Sequence, residues 1–339
     1  MRRKGESMLR PRTRFLLALI ILVSFLLTLN VEVVETSDYS HNLFLARTIL
    51  ETGRIPPQEP PVVFYLLAAL VKIFGEIKGL QAALGIGASL VALPAFLVAR
   101  KLSDSEEAGL LMAAVAVMNP FSYYLVRYCV LKNLIGNVFL LGGMALLHRQ
   151  TEEGSCRNMV QLAGMSVLLM FTHVISFYTY LAYLATHTIH SFLNGKPLKV
   201  ILPALAFAPF LLAVPLLVNN DLNLFTGVFP LVFNYPRFVE AWTYVPVATS
   251  LYVALATLYQ EWNLRPAPTA AALTALVLHA GSWITKHGIG VRLMYMAYIP
   301  LVLTLATHLK PGGDRRPWIF LAAAYIPQYL AHHIPGGWL

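Results

Sequence analysis

Apolar runs succeed one another along almost the whole chain, near residues 15–34, 61–74, 79–99, 108–124, 131–147, 159–172, 174–192, 199–218, 243–260, 268–284, 293–309 and 317–332, with short polar breaks between them. A helix needs about 17–25 apolar residues to cross a bilayer core. Backbone in lipid must satisfy its own hydrogen bonds, which leaves the helix as the spanning element for runs of this kind. The pattern predicts an all-α integral membrane protein.

One run is out of step. Residues 61–74, PVVFYLLAALVKIF, are short for a span and carry Lys72 near their end. If this run crosses, Lys and Arg divide 13 inside to 12 outside; if it lies on or dips into the outer leaflet, they divide 16 to 9. The second division obeys the positive-inside rule. It puts Arg100–Lys101, Arg149–Arg157, Lys196–Lys199 and Lys310–Arg316 in the cytoplasm. The expectation is about 11 transmembrane helices, N-terminus in and C-terminus out. Residues 1–14 form a cytoplasmic basic N-terminus, 15–339 form one polytopic domain, and no soluble C-terminal domain is expected. Residues 31–78 become a long first external loop with juxtamembrane helices.

The first of those helices is SDYSHNLFLARTILET, residues 37–52. Ser37 or Asp38 can cap its start, and Gly53 stands where a left-handed residue ends a helix. Tyr39, Leu43, Ala46 and Leu50 recur at helical spacing and predict a packed stripe. Pro56, Pro57, Pro60 and Pro61 then enforce an extended link.

Composition agrees with this reading. Of 339 residues, 58% are hydrophobic and 12% charged, against about 25% charged in soluble domains. The net charge of +9 collects in short loops, as topology determinants do, and excludes a phosphate-binding face for nucleic acid. MRRKGESMLRPRTR with its following apolar run reads as an uncleaved first span rather than a removed signal. Cys129 and Cys156 fall at opposite faces in this topology, so no disulfide is expected between them.

Ionisable groups beside a membrane are functional candidates. Outside lie Glu32, Glu35, Asp38, Glu51, Glu59, Glu76, Asp221 and Glu240, together with the bases Arg127, Lys132, Lys286 and Arg292. Carboxylates facing cations suit a general base working against a phosphate leaving group. His41 follows Asp38 by about one turn, and His173 occupies an outer turn. Each has a plainer reading: Asp38 as a helix cap, Glu35 and Glu59 as solvated loop charges, His173 as a partner for turn backbone, Arg127, Lys132 and Arg292 as headgroup anchors.

An acid just after the first span, a helix, a glycine fifteen residues on and a PP-aromatic segment together resemble the GT-C class of integral membrane glycosyltransferases. Here these are Asp38, the helix YSHNLFLARTILET, Gly53 and RIPPQEPPVVFYLL. Downstream, ALGIGASLVALPAFLVARKLSDSEEAGLLMAAVAVMNP is similar to the family's second and third spans with their basic turn. RYCVLKNLIGNVFLLGGMALLHR resembles its next external turn and returning span, FTHVISFYTYL another outer turn, and GIGVRLMYMAYIPLVL a late span opening on an arginine. The likeness is to short archaeal-type members, and more distantly to protein mannosyltransferases, aminoarabinose transferases and oligosaccharyltransferase catalytic subunits.

The resemblance implies transfer of a sugar, with inversion, from a polyprenyl-phosphate-linked donor to a lipid, glycan or protein acceptor at the extracytoplasmic face of a cell membrane. It implies Asp38 as general base and Arg292 as a holder of the lipid-linked phosphate. Lys132, His41, His173 and Glu35 are further candidates for substrate or lipid-phosphate binding. Two departures stand out: Tyr39 follows Asp38 where many members have a second acid, and Lys132–Asn133 replace an acid that is sometimes a metal ligand. No cofactor is expected on that basis. Rival classes are a non-catalytic GT-C-like scaffold or accessory subunit, and a transporter or lipid flippase, which would place ionisable groups at mid-membrane.

Overall fold

The computed structural model describes residues 9–56, 59–195, 244–262, 265–284, 293, 296–309 and 314–331, and every element among them is helical. The helices are α1 (Pro11–Leu29), α2 (Ser37–Thr52), α3 (Pro61–Phe74), α4 (Glu76–Leu90), α5 (Ala92–Ser103), α6 (Glu106–Val117), α7 (Pro120–Arg127), α8 (Leu131–Glu153), α9 (Cys156–Met170), α10 (Val174–Leu193), α11 (Tyr244–Glu261), α12 (Pro266–Ile284), α13 (Tyr298–His308) and α14 (Arg316–Ala331). They follow the apolar runs closely. The run at 199–218 lies outside the described residues.

Among the described residues, three helical stretches can cross a membrane by length and apolar composition: Pro11–Leu29, Glu76–Ser103 and Leu131–Thr151. The α6–α7 pair makes a fourth if its 40° bend is taken as one broken span. The bend has a local cause. Asn119 caps α7 by accepting from Ser122 N at 2.8 Å, and Pro120 opens the new helix, so the chain restarts rather than continues.

Gly154, left-handed at φ 60°, turns α8 back into α9. The start of α8 and the end of α9 therefore share one end of the bundle. α2 and the start of α3 gather at that same end. Val62 N at the start of α3 donates to Phe171 O at 3.3 Å, in the turn after α9. At the other end of α3, Gly75 (φ 80°) reverses the chain into α4, and Arg47 of α2 binds Glu76 through two bonds of 2.6 Å. Gly79 comes so close to α3 that a Cβ there would lie 2.6 Å from Val71 Cα. At about 21 Å, α3 buries Val63, Phe64, Leu67, Ala68 and Val71 and exposes Tyr65, Ile73 and Phe74.

The remaining helices pack by small-residue faces. α5 lies along α6, α10 along α12, and α13 against both α5 and α12. A Cβ at Gly109 or Gly87 would meet Phe96 or Leu134 at 2.8 Å, the close approach small residues give membrane helices. Cys129 is buried and Cys156 exposed, both as free thiols.

Candidate functional site

The end of the bundle that gathers α2 and α3 also gathers most of the candidate residues. α2 begins at Ser37, one residue earlier than a Ser37 cap allows and two earlier than an Asp38 cap allows. Thr36 is the cap, its Oγ1 accepting from Tyr39 N at 3.4 Å. Asp38 thus sits within the first turn, where a carboxylate complements the helix dipole, and is not needed as the cap. Gly53 ends the helix at φ 70°, as the sequence predicts. Of the expected stripe, Leu43 and Ala46 are buried and Tyr39 is partly buried against the core, while Leu50 is exposed.

α2 is docked onto the turn between α7 and α8. Val34 N donates to Arg127 O at 2.9 Å, and Thr36 Oγ1 to Tyr128 O at 3.3 Å. Asn42, buried one turn beyond Asp38, donates from Nδ2 to Cys129 O at 2.8 Å. Cys129 holds the left-handed region at φ 57°, a conformation costly for a residue with a Cβ. The carbonyl it turns toward α2 is the one Asn42 binds. Burial pushes the Cys129 thiol up to about 12, and the nearby Asp38 carboxylate adds to the shift. Asp38, half-buried, therefore stands beside the turn that leads into α8.

Lys132 lies in the first turn of α8. Its Nζ is 3.3 Å from Glu59 Oε2 and 5.6 Å from the centre of the Phe64 ring. The other oxygen of Glu59 is 3.1 Å from His41 Nε2. His41 also meets Phe64 edge-on, with ring centres 6.1 Å apart. Glu59 is thus no solvated loop charge: its side chain is 16% exposed and bridges two basic groups from different helices. Its position in the proline-rich link conceals this in sequence. Asn42 could have been noticed as a polar residue inside the packed face of α2.

The other candidates fall as follows. Glu35 is exposed in the segment leading into α2. His173 is buried and caps α10: Ser176 N donates to its Nδ1 at 3.3 Å, and the Ser176 hydroxyl lies 2.8 Å from that nitrogen. That is the plainer of its two readings. Arg127 reaches Tyr123 OH at 3.5 Å. Arg292 and Lys286 lie outside the described residues. Among the described residues no three His, Cys, Asp or Glu side chains converge on a possible ion.

No protein-family model and no curated protein matches the chain. Solved structures do. One is ArnT from Cupriavidus metallidurans bound to undecaprenyl phosphate, with TM-score 0.60 and 14% identity over 91% of this chain and 63% of that one. A second is the archaeal oligosaccharyltransferase AglB from Archaeoglobus fulgidus, in complex with an inhibitory peptide and a dolichol-phosphate. It has TM-score 0.61 and 12% identity, over 96% of this chain and 56% of that one. The same oligosaccharyltransferase tethered to an acceptor peptide gives TM-score 0.60 at 13% identity, over 94% and 55%. This chain spans about three-fifths of their length. It shares the fold of these ArnT and oligosaccharyltransferase structures, in agreement with the GT-C resemblance read from the sequence.

Proposed function

We propose that the protein is an inverting membrane glycosyltransferase that moves a sugar from a polyprenyl-phosphate-linked donor to a lipid, glycan or peptide acceptor at the extracytoplasmic face. The observation that carries this reading is the convergence of Asp38, His41, Glu59 and Lys132 at one end of the bundle, on α2, the link after it and the start of α8. A fold alone does not assign chemistry; this cluster supplies a carboxylate base and a cation for a leaving phosphate. The likeness to structures holding undecaprenyl phosphate and dolichol-phosphate supports the donor class.

In this mechanism the acceptor gives its proton to Asp38 as it attacks the anomeric carbon. The bond from that carbon to the phosphate oxygen breaks, and charge gathers on the phosphate. Lys132 stabilises that charge, with Arg292 as a second cation. His41, about one turn beyond Asp38 on α2, and Glu35, three residues before it, are further candidates for substrate binding. In the membrane, the reading has about 11 spans, N-terminus in and C-terminus out, with α3 lying across the outer leaflet. The bond from Val62 N at the start of α3 to Phe171 O supports this placement.

Asp38→Asn tests the reading with a panel of polyprenyl-linked donors. The expected result is a loss of at least about 100-fold in transfer with lipid binding retained; equal activity in both proteins rules Asp38 out as the base. A second reading, a non-catalytic relative or accessory subunit, is favoured by one observation: the Lys132 ammonium is already paired with a carboxylate. It requires that the unaltered protein transfer no sugar from any donor.

A further inference from the structure

Glu59 presents one oxygen to each of two basic groups, His41 Nε2 at 3.1 Å and Lys132 Nζ at 3.3 Å. Two non-bridging phosphate oxygens could span those groups in the same way. The side chains are partly buried, 16% exposed for Glu59 and 24% for Lys132, so screening by water is incomplete. The link is also held. Glu59 N donates to Pro56 O at 3.0 Å, and Tyr65 OH to Gly53 O at 3.2 Å. The carboxylate is thereby kept beside Lys132.

The charge count is what matters. Glu59 cancels Lys132, so with a neutral His41 the cluster has no net charge, and with a protonated His41 it has one positive charge. A site meant simply to hold anions as tightly as it could would not keep a carboxylate there.

The proposed transfer changes the charge of the lipid. The anomeric carbon–oxygen bond breaks, its electron pair stays on the phosphate oxygen, carbon bonds to the acceptor, and the acceptor's proton passes to the base. The departing phosphate has one more ionisable oxygen than the donor. As a monoester it carries about −1.5 to −2 near pH 7, where the diester donor carries −1. A bare lysine would therefore hold the product more tightly than the donor.

We propose that Glu59 is the specificity-determining residue that sets this preference: fixed beside Lys132, it repels the phosphate monoester product more than the diester donor and so speeds product release. This rests on the donor reading given above. The other charges near this end, among them Asp38, Glu35, Arg127, Arg47 and Glu76, act on donor and product in both the unaltered protein and the variant.

The test uses two lipids that differ only in charge, decaprenyl phosphate and its methyl phosphodiester. Their binding to the full chain in nanodiscs is measured by thermal stabilisation. Glu59→Gln keeps the size and hydrogen-bonding reach of the side chain and removes its charge. The expected result is tighter binding of the monoester by roughly tenfold and of the diester by roughly threefold, with Glu59→Asp restoring the original ratio. The lipid-free melting temperature of each variant reports a merely structural effect, which would move both lipids together. An unchanged ratio, or a weaker monoester in Glu59→Gln, overturns the inference and leaves the donor reading standing. If neither lipid stabilises any of the proteins, the donor reading fails and the inference falls with it.

Discussion

Asn42 Nδ2 lies 2.8 Å from the carbonyl oxygen of Cys129, a hydrogen bond between residues 87 positions apart. It joins the helix that carries Asp38 to the turn that leads into Lys132. Both residues are buried, and Cys129 holds a left-handed backbone to offer that carbonyl. The same carbonyl also accepts from Leu131 N at 2.8 Å, so loss of Asn42 removes the bond that ties the turn to α2.

Asn42→Leu should therefore cost about 0.5–1.5 kcal/mol, the net worth of one buried hydrogen bond. In a Cys156→Ser background, Cys129 should become labelled by a thiol reagent that does not reach it in the parent. A variant as stable as the parent, with Cys129 still shielded, would show that the turn holds its shape without α2.

The Cys129 thiol gives an alkaline signature. Burial, helped by Asp38, raises it from its ordinary value near 9 to about 12, while the unfolded chain ionises at the ordinary value. Between those limits the native state binds more protons. The stability this site contributes is complete below about pH 9 and is lost as pH climbs toward about 12. Melting temperature should fall more between about pH 8 and pH 10 in the parent than in Cys129→Ala; equal falls would count against a buried thiol.

At Gly79 a Cβ would meet Val71 Cα at 2.6 Å and Val71 N at 2.7 Å. Backbone cannot rotate aside, so Gly79→Ala must push α3 off α4, at about 1–3 kcal/mol. Gly164→Ala is the control, since a Cβ there meets nothing within 4 Å. Thermal unfolding of the two variants should separate them; matching melting temperatures would mean α3 is not seated on α4.

If α3 lies across one leaflet, residue 104 is on the same side as the N-terminus. In a cysteine-free background, Asp104→Cys, at an exposed position, should be labelled by an impermeant reagent in inverted vesicles and spared in intact cells. Labelling of intact cells would make α3 a span and reverse every later loop.

Helix positions were legible because membrane spans are written in long apolar runs, and the described helices coincide with those runs. The end of α2 was legible too, since only a residue without Cβ takes φ 70° at low cost, and Gly53 is that residue. The acid at the start of α2, with its spacing to Gly53, was enough to suggest the fold class, and the structural likeness agrees with it.

Partnership was not legible. The cap of α2 falls to Thr36 because the incoming segment is pinned by Arg127 O and Tyr128 O, which local preference does not foresee. Glu59 reads as a loop charge until α2 and α8 bring His41 and Lys132 to its two oxygens. The backbone-partner reading of His173 could be made from sequence, but its pairing with Ser176 as the cap of α10 is given by the fold. Apolar runs are a property of local composition, since a helix in lipid must bond to itself; by themselves they determined which segments are helical and apolar. Ion pairs and hydrogen bonds between residues 18 to 92 positions apart depend on how those helices cross, and only the tertiary structure decided them.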